Sequence, residues 1–244
     1  MVLKDISFPS PQENILFDEA LLALAEQGKG GEVLRFWESL TTFIVLGRIG
    51  KVEEDLYIEN VARDEVMVLR RSSGGGTVVQ GKGCLNFSLI LVKDRDPSLN
   101  DLRKSYRYIL EKIIAALKSL GCETVFRPIS DLALAAGEKK ISGNAQRRGK
   151  KFILHHGTIL YDFDLAVIGK YLRLPKDIPE YRRAREHSSF VANVPLPVEL
   201  IKKAIQAAYQ VHQKAAVLTA PEKECLSHLL KTHEPVIPLK DFFV

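Results

Sequence analysis

The chain has 244 residues, 46% of them apolar, and a formal net charge of +5, which suits one soluble domain of generous size. No run approaches the roughly 20 apolar residues of a membrane helix, and the N-terminus lacks the basic-then-apolar order of a secretory signal. Cys84, Cys122 and Cys225 stand singly, forming neither a disulfide framework nor a C-x-x-C metal clip, so a reducing cytoplasm is expected.

In chain order, Asn14 to Glu26 carries apolar residues at helical spacing and stops at Gly28-Lys29-Gly30-Gly31. Val33 to Trp37 and Thr42 to Leu46 read as strands. A short acidic helix from about Val52 to Arg63 leads into the strand Val66 to Arg70. Leu99 to Leu120 is the longest expected helix, with Leu102, Tyr106, Ile109, Leu110, Ile113, Ile114 and Leu117 as its buried stripe. Strands follow at Thr124 to Arg127, Asp131 to Ala135, Lys140 to Gln146 and Phe152 to Tyr161. Gly137-Glu138-Lys139 and Arg147-Arg148-Gly149-Lys150 read as hairpin turns between them. A short helix from Leu165 to Leu172, a charged loop from Pro175 to Asn193, a helix from Pro197 or Val198 to about Gln213 and another from Cys225 to Lys231 complete the chain. Strands and helices in irregular order indicate an α+β fold, a mixed and largely antiparallel sheet flanked by helices.

The stretch Arg70-Arg71-Ser72-Ser73-Gly74-Gly75-Gly76-Thr77-Val78-Val79 stands out. Three consecutive glycines are costly within regular structure because glycine loses the most backbone freedom on folding. Two readings are open: a flexible hairpin turn, or a bare loop whose N–H groups face an anion. The two arginines at the strand end favour the second. Its spacing is neither Walker A nor G-x-G-x-x-G. In a second cluster, Lys140 lies in an apolar strand beside Ser142 and Gly143, which leave room above it. His155 and His156 are adjacent, so they point to opposite faces of a strand and cannot both serve one site. No zinc-ligand spacing is evident. The net charge fits nucleic acid, an acidic partner or a phosphate-bearing ligand. The basic residues are interspersed with acids and no helix-turn-helix or RNA-binding signature is present, which argues against nucleic acid.

In combination and in this order, Leu34-Arg35-Phe36-Trp37, Leu46-Gly47-Arg48, Arg70 to Gly76, Asp131-Leu132, Lys140-Ile141-Ser142-Gly143, His155-His156-Gly157-Thr158 and Ser189-Phe190-Val191-Ala192-Asn193 resemble the catalytic domain of the lipoate–protein ligases. These belong to the biotin/lipoate ligase superfamily, and the likeness runs from about residue 12 to residue 215. It implies a catalytic fold of the class II aminoacyl-tRNA synthetase and biotin ligase kind, spanning 1–244 as a single domain. It also implies a two-step reaction. Lipoate or octanoate is activated by ATP to an acyl-adenylate, then transferred to a lysine of a lipoyl-carrier domain, such as a 2-oxoacid dehydrogenase E2 or a glycine-cleavage H-type protein. By motif position, Arg71, Gly75, Gly76, Thr77, Val78 and Val79 would hold ATP or the adenylate. Lys140 would be the catalytic cation bridging the acyl carbonyl and the phosphate. Trp37, Arg70, Gly74, Gly143, His156, Gly157 and Thr158 would contact the lipoyl group. Magnesium is expected with ATP, held mostly through phosphates, and Asp131 is a candidate supporting carboxylate or a turn residue.

Three features depart from the family pattern. Val78-Val79-Gln80-Gly81 replaces an aromatic-His-Asp run, Phe190 stands where an arginine is common, and the family's C-terminal accessory domain is not expected within these 244 residues. In the family that domain is either supplied by a separate chain or dispensed with. The rival reading is ATP-independent octanoyl or lipoyl transfer between carriers through a cysteine thioester, which needs an accessible thiol of lowered pKa. Arg147, Arg148, Lys150 and Lys151, with Arg182, Arg183 and Arg185, form either a steering face for an acidic carrier or an ordinary solvated face.

Overall fold

The computed structural model describes residues 1–176 and 178–242. In chain order the strands are β1 (Val2–Asp5), β2 (Val33–Trp37), β3 (Phe43–Leu46), β4 (Met67–Arg70), β5 (Val78–Gln80), β6 (Cys84–Val92), β7 (Thr124–Arg127), β8 (Asp131–Leu134), β9 (Lys140–Arg148), β10 (Phe152–Leu160) and β11 (Gln213–Lys214). The helices are α1 (Pro11–Glu26), α2 (Val52–Asp55), α3 (Ile58–Arg63), α4 (Leu102–Ser119), α5 (Ala166–Tyr171), α6 (His187–Phe190), α7 (Val198–Ala208) and α8 (Ala220–Thr232). The fold is α+β. An eight-stranded sheet runs β11-β1-β2-β6-β10-β9-β8-β7, and a three-stranded sheet runs β4-β3-β5. β1 is parallel to β2 and β11; the other pairs of the large sheet are antiparallel.

Strand alternation divides the large sheet into two unlike faces. One is mainly apolar: Leu34, Phe36, Leu85, Phe87, Leu89 and Ile159 pack on the stripe of α4 and on Ile201 and Ile205 of α7. Burying each such side chain contributes about 1.5–3 kcal/mol. On the other face, α1 and Leu226 of α8 cover Val33, Ile90 and Leu154. Beyond the end of α1 the small sheet takes over, packing Phe43, Val45 and Leu69 against Ile15 and Trp37. The gap between the small sheet and the large one holds the site.

Several elements differ from the sequence expectation for identifiable reasons. The 52–63 helix is broken: Leu56 is extended and bridges Leu172, and Tyr57 N–H bonds to the Tyr171 carbonyl at 2.9 Å. Tertiary pairing there outweighs helix propensity. The long helix starts at Leu102 because the Asp101 side chain caps it on Lys104 N–H at 2.8 Å; Leu99 lies in the 3₁₀ turn before it. α7 ends early, freeing Gln213–Lys214 to pair as the edge strand with β1, a strand the sequence did not suggest. α8 starts five residues before Cys225, on a Thr219–Glu222 capping box. Arg147 and Arg148 belong to β9 rather than to a turn. Most important, the triple glycine is no hairpin. β4 and β5 flank β3 on opposite sides, one parallel and one antiparallel, so the loop between them crosses the end of β3.

Candidate active site

Register builds the floor of the site. Arg35, Ser88, His156 and Ala145 are cross-strand neighbours on β2, β6, β10 and β9; one pleat further on are Trp37, Asn86, Thr158 and Gly143, then Asp131 of β8. Residues scattered from 35 to 158 thereby share one face. Above this floor the glycine loop encloses a cavity of about 160 Å³. Trp37, Asp131, Lys140, Gly143, His156, Gly157 and Thr158 line it from the large sheet. Arg71, Gly75, Gly76, Thr77 and Val78 line it from the loop. Among the expected site residues, Arg70, Gly74 and Val79 are not on its wall. The Arg70 guanidinium instead donates to the carbonyls of Gly47, Arg48 and Gly50 at 2.7–3.3 Å, and Val79 packs in the apolar cluster of the small sheet.

Arg71 lines the cavity and is also bonded within the loop. Buried in the loop, it donates to the Ser73 hydroxyl (3.0 Å) and to the carbonyls of Val45 (3.2 Å), Gly74 (2.7 Å) and Gly76 (2.8 Å). Burial lowers its pKa to about 10, which still leaves it cationic at neutral pH. Because a trans peptide sets C=O and N–H on opposite sides, carbonyls turned onto Arg71 turn the Gly75 and Thr77 N–H groups away from it. Neither N–H has a partner among the described residues, and such a pair of free amides makes an anion-binding concavity. The close approach needs glycine twice over. Gly75 has φ +86°, and a Cβ on Gly47 would overlap the Gly75 carbonyl oxygen.

His156 Nε2 lies 2.6 Å from Ser73 Oγ. Arg71 Nε–H also donates to that oxygen, and on the other side of the ring His156 Nδ1 lies 3.9 Å from Asp18 Oδ2. Asp18 of α1 is buried on the floor, against Arg35 (2.6 Å), and accepts from Ser88 (2.6 Å). Burial alone would raise the Asp18 carboxyl; the Arg35 charge, His156 and Ser88 outweigh it and hold it below its ordinary value. One chain of contacts thus runs from Arg35 through Asp18, His156, Ser73 and Arg71 to the glycine loop. His155 points the opposite way, fully buried between Gln146 (3.1 Å) and Asn144 (3.3 Å), and burial pushes its pKa down to about 3.

Lys140 reaches over Gly143, where a Cβ would sit 3.2 Å from its Nζ. Its ammonium pairs with Asp131 Oδ1 at 2.8 Å, and the Tyr181 hydroxyl donates to Asp131 Oδ2 at 2.6 Å. Phe190 is buried, with the Arg182 and Arg185 guanidiniums 4.5 and 5.3 Å from its ring centre. Sequence reasoning missed Asp18, Ser88, Asn86 and Tyr181. The signal for Asp18 was present: an acid on the buried stripe of an apolar helix, and Arg35 inside an apolar strand to answer it.

None of the three cysteines lines the cavity. Cys84 is fully enclosed and burial pushes its thiol far up; Cys122 and Cys225 are raised by burial too. Of the expected steering residues, Arg147 pairs with Glu19, Arg148 donates to the Leu99 carbonyl, Arg183 pairs with Glu138, and Arg185 donates to the carbonyls of Gly137 and Glu138. Arg182 lies on the Phe190 ring and donates to the Arg185 carbonyl, so among the described residues only the Lys150 and Lys151 side chains of that set have no partner, and the solvated-face reading fits better. Among the described residues no helix is long and apolar enough to cross a membrane.

Residues 10–215 match the family model described as the lipoyl protein ligase A/B catalytic domain. A probable lipoate-protein ligase A of Mycoplasma pneumoniae is 32% identical over 166 residues, 68% of this chain and 47% of that one. The octanoyltransferase LipM of Brevibacillus brevis is 24% identical over 254 residues, 91% and 92% of the two chains. The chain spans about half the length of the curated ligase relatives it matches. Among solved structures, a lipoate-protein ligase A bound with ATP superposes with TM-score 0.80 at 23% identity, covering 94% of each chain. The bi-partite lipoate protein ligase of Thermoplasma acidophilum, described with its E2 lipoyl domain, gives TM-score 0.79 at 23% identity over 94% of this chain and 91% of that one. With the family model covering most of its length, the chain belongs to the lipoyl protein ligase A/B catalytic-domain family, within the biotin/lipoate ligase superfamily.

Proposed function

We propose that this chain activates lipoate or octanoate with ATP and transfers the acyl group from the adenylate to a lysine of a lipoyl-carrier domain. The observation that carries the reading is the convergence of the Lys140 ammonium and the glycine loop, with its two unpartnered N–H groups, on one cavity. Adenylation develops negative charge on phosphate and carbonyl oxygens. Pre-aimed donors stabilise such charge at about 3 kcal/mol each in comparable oxyanion sites. Gly75 and Thr77 N–H, on the stretch running to Val79, supply neutral donors for the phosphate. Arg71 contributes its charge from behind and fixes the loop. Lys140, a compact cation able to serve two oxygens, bridges phosphate and acyl carbonyl. Trp37, Phe87, His156, Gly157 and Thr158 wall the acyl slot, where each buried methylene contributes about 0.8 kcal/mol.

The two carboxylates on the cavity are both engaged, Asp18 by Arg35 and Ser88, Asp131 by Lys140 and Tyr181. No group of three or more His, Cys, Asp or Glu stands together among the described residues. Magnesium would arrive on the nucleotide phosphates. The carrier is the expected macromolecular partner, and a separate accessory-domain chain belongs to the same proposal, by analogy with the bi-partite archaeal protein.

The octanoyltransferase relative keeps cysteine-dependent transfer as the second reading. What disfavours it is that each thiol is off the cavity and raised in pKa, whereas a thioester-forming cysteine needs the reverse. The decisive assay measures acyl-dependent ATP–pyrophosphate exchange, and transfer to carrier from preformed octanoyl-adenylate, with and without an added accessory domain. Exchange and transfer are expected to persist in each Cys→Ala variant. Lys140→Ala should lower exchange by about 10²–10³-fold with its thermal midpoint unchanged. ATP-independent transfer between carriers that one Cys→Ala change abolishes would overturn the reading.

A further inference from the structure

Lysine carries about 2 kcal/mol of rotamer entropy on a flexible four-carbon stem, so a catalytic ammonium needs something to hold it in place. Around Lys140 that something is Asp131, and Asp131 is itself held. Its side chain is 10% exposed; Oδ1 faces Lys140 Nζ at 2.8 Å, and Oδ2 accepts from the Tyr181 hydroxyl at 2.6 Å. That distance is in the range of a charge-assisted O–H···O⁻ bond. No other donor among the described residues reaches Oδ2.

Tyr181 is well placed to act as the fixed end of this chain. Its ring packs on Phe190 with centroids 5.3 Å apart. Arg185 donates to the Tyr181 carbonyl and to the carbonyls of Gly137 and Glu138, tying the segment to the tip of the β8–β9 hairpin. Further along the same segment, Ala192 N–H bonds to the Lys140 carbonyl at 2.9 Å. The segment therefore grips Lys140 twice, by backbone at its root and through Asp131 at its tip.

We propose that Tyr181 is a positioning residue for Lys140, acting through the Asp131 carboxylate. The assignment rests on Lys140 being the catalytic cation. Without the hydroxyl, Asp131 can turn about its terminal torsion and the ammonium loses its fixed place. Tyr181→Phe tests this because it keeps the ring on Phe190 and removes only the donor.

Two measurements on the full chain are needed. The first is the rate at which an amine-reactive acetylating reagent modifies Lys140, read by peptide mass spectrometry with Lys150 as reference. Tyr181→Phe and Asp131→Asn should each speed modification of Lys140 by about threefold or more, Lys150 staying constant. No acceleration at Lys140, or an equal one at Lys150, overturns the proposal. The second is acyl-dependent ATP–pyrophosphate exchange. Tyr181→Phe should lower kcat about tenfold, the size of one hydrogen bond to a charged group, with KM for the acyl acid unchanged. The double variant Tyr181→Phe/Asp131→Asn should be no slower than Asp131→Asn alone, because one residue works through the other; additive losses overturn the proposal. Absence of exchange in the wild-type chain would instead sink the ligase reading, and the labelling rates would still decide Tyr181.

Discussion

At the scale of single residues, His155 and His156 show how one step along a strand separates two chemistries. His156 faces the cavity and meets Ser73, while His155 is sealed under the sheet, stacked on Phe87 and edge-on to Tyr106. Gln146 donates to Nδ1 of His155, and its Nε2–H donates to Asn144 Oδ1, so the neutral ring is fully satisfied. Its folded pKa of about 3 lies below its ordinary 6.5. Between those values the unfolded chain binds the extra proton. Stability from this site is therefore complete above pH 6.5 and is lost as pH falls toward 3, at up to about 1.4 kcal/mol per unit. His155→Gln cannot titrate, so it should be less stable than wild type at pH 7, and the gap should narrow by about 2 kcal/mol by pH 5 in urea unfolding. A pH-independent gap would count against the buried neutral ring. Strand alternation makes it legible from Leu154-His155-His156-Gly157 that only one histidine can face the site. Which one does so depends on which face receives α1, and no local pattern encodes that.

The glycine loop makes the corresponding argument for an element. Its sequence suggests a hairpin because strand, glycines and strand follow one another. The outcome depends on β3, which inserts between the two strands and forces the loop over its own end. That topology assigns the glycines separate duties. Gly47 and Gly75 allow β3 and the loop to touch, whereas a Cβ on Gly76 would meet nothing within 4 Å. Gly76 has no positive φ to require glycine and lines the cavity, so its bareness serves whatever enters there. Gly76→Ala should therefore leave the urea midpoint within about 0.5 kcal/mol of wild type yet lower ATP–pyrophosphate exchange at least about tenfold by obstructing the oxyanion donors. Gly47→Ala should cost about 1–3 kcal/mol of stability through overlap. Full exchange in Gly76→Ala would remove the anion-binding role of the loop. The 52–63 helix fails in sequence for a similar reason, since the residue that breaks it, Leu56, is answered by Leu172, more than a hundred positions away.

On the scale of the whole molecule, the family signatures that look scattered in sequence are register partners, which is why their combination could be read before any geometry was known. Trp37, Thr158, Gly143 and Asp131 lie, with Asn86, in one row across five strands. What closes the molecule was not legible, because it joins the two ends. Lys4 on β1 and Glu222 on α8 meet at 2.9 Å, 3% and 8% exposed. Glu222 also accepts from Thr219 N–H at 2.9 Å as the partner in the capping box. This pair fastens α8 to the sheet, and α8 packs on α1, the helix that sets Asp18 on the floor of the cavity. A buried pair costs most when only half is removed, since the other charge is then left unanswered. Glu222→Ala should accordingly destabilise by about 3 kcal/mol or more, including the lost cap, whereas Lys4→Met/Glu222→Leu should recover most of that. The contacts around the cavity do not involve either residue, so KM values of the folded fraction should match wild type. If single and double variants prove equally stable in urea unfolding, Lys4 is not answered by Glu222 and α8 is held by its apolar face alone.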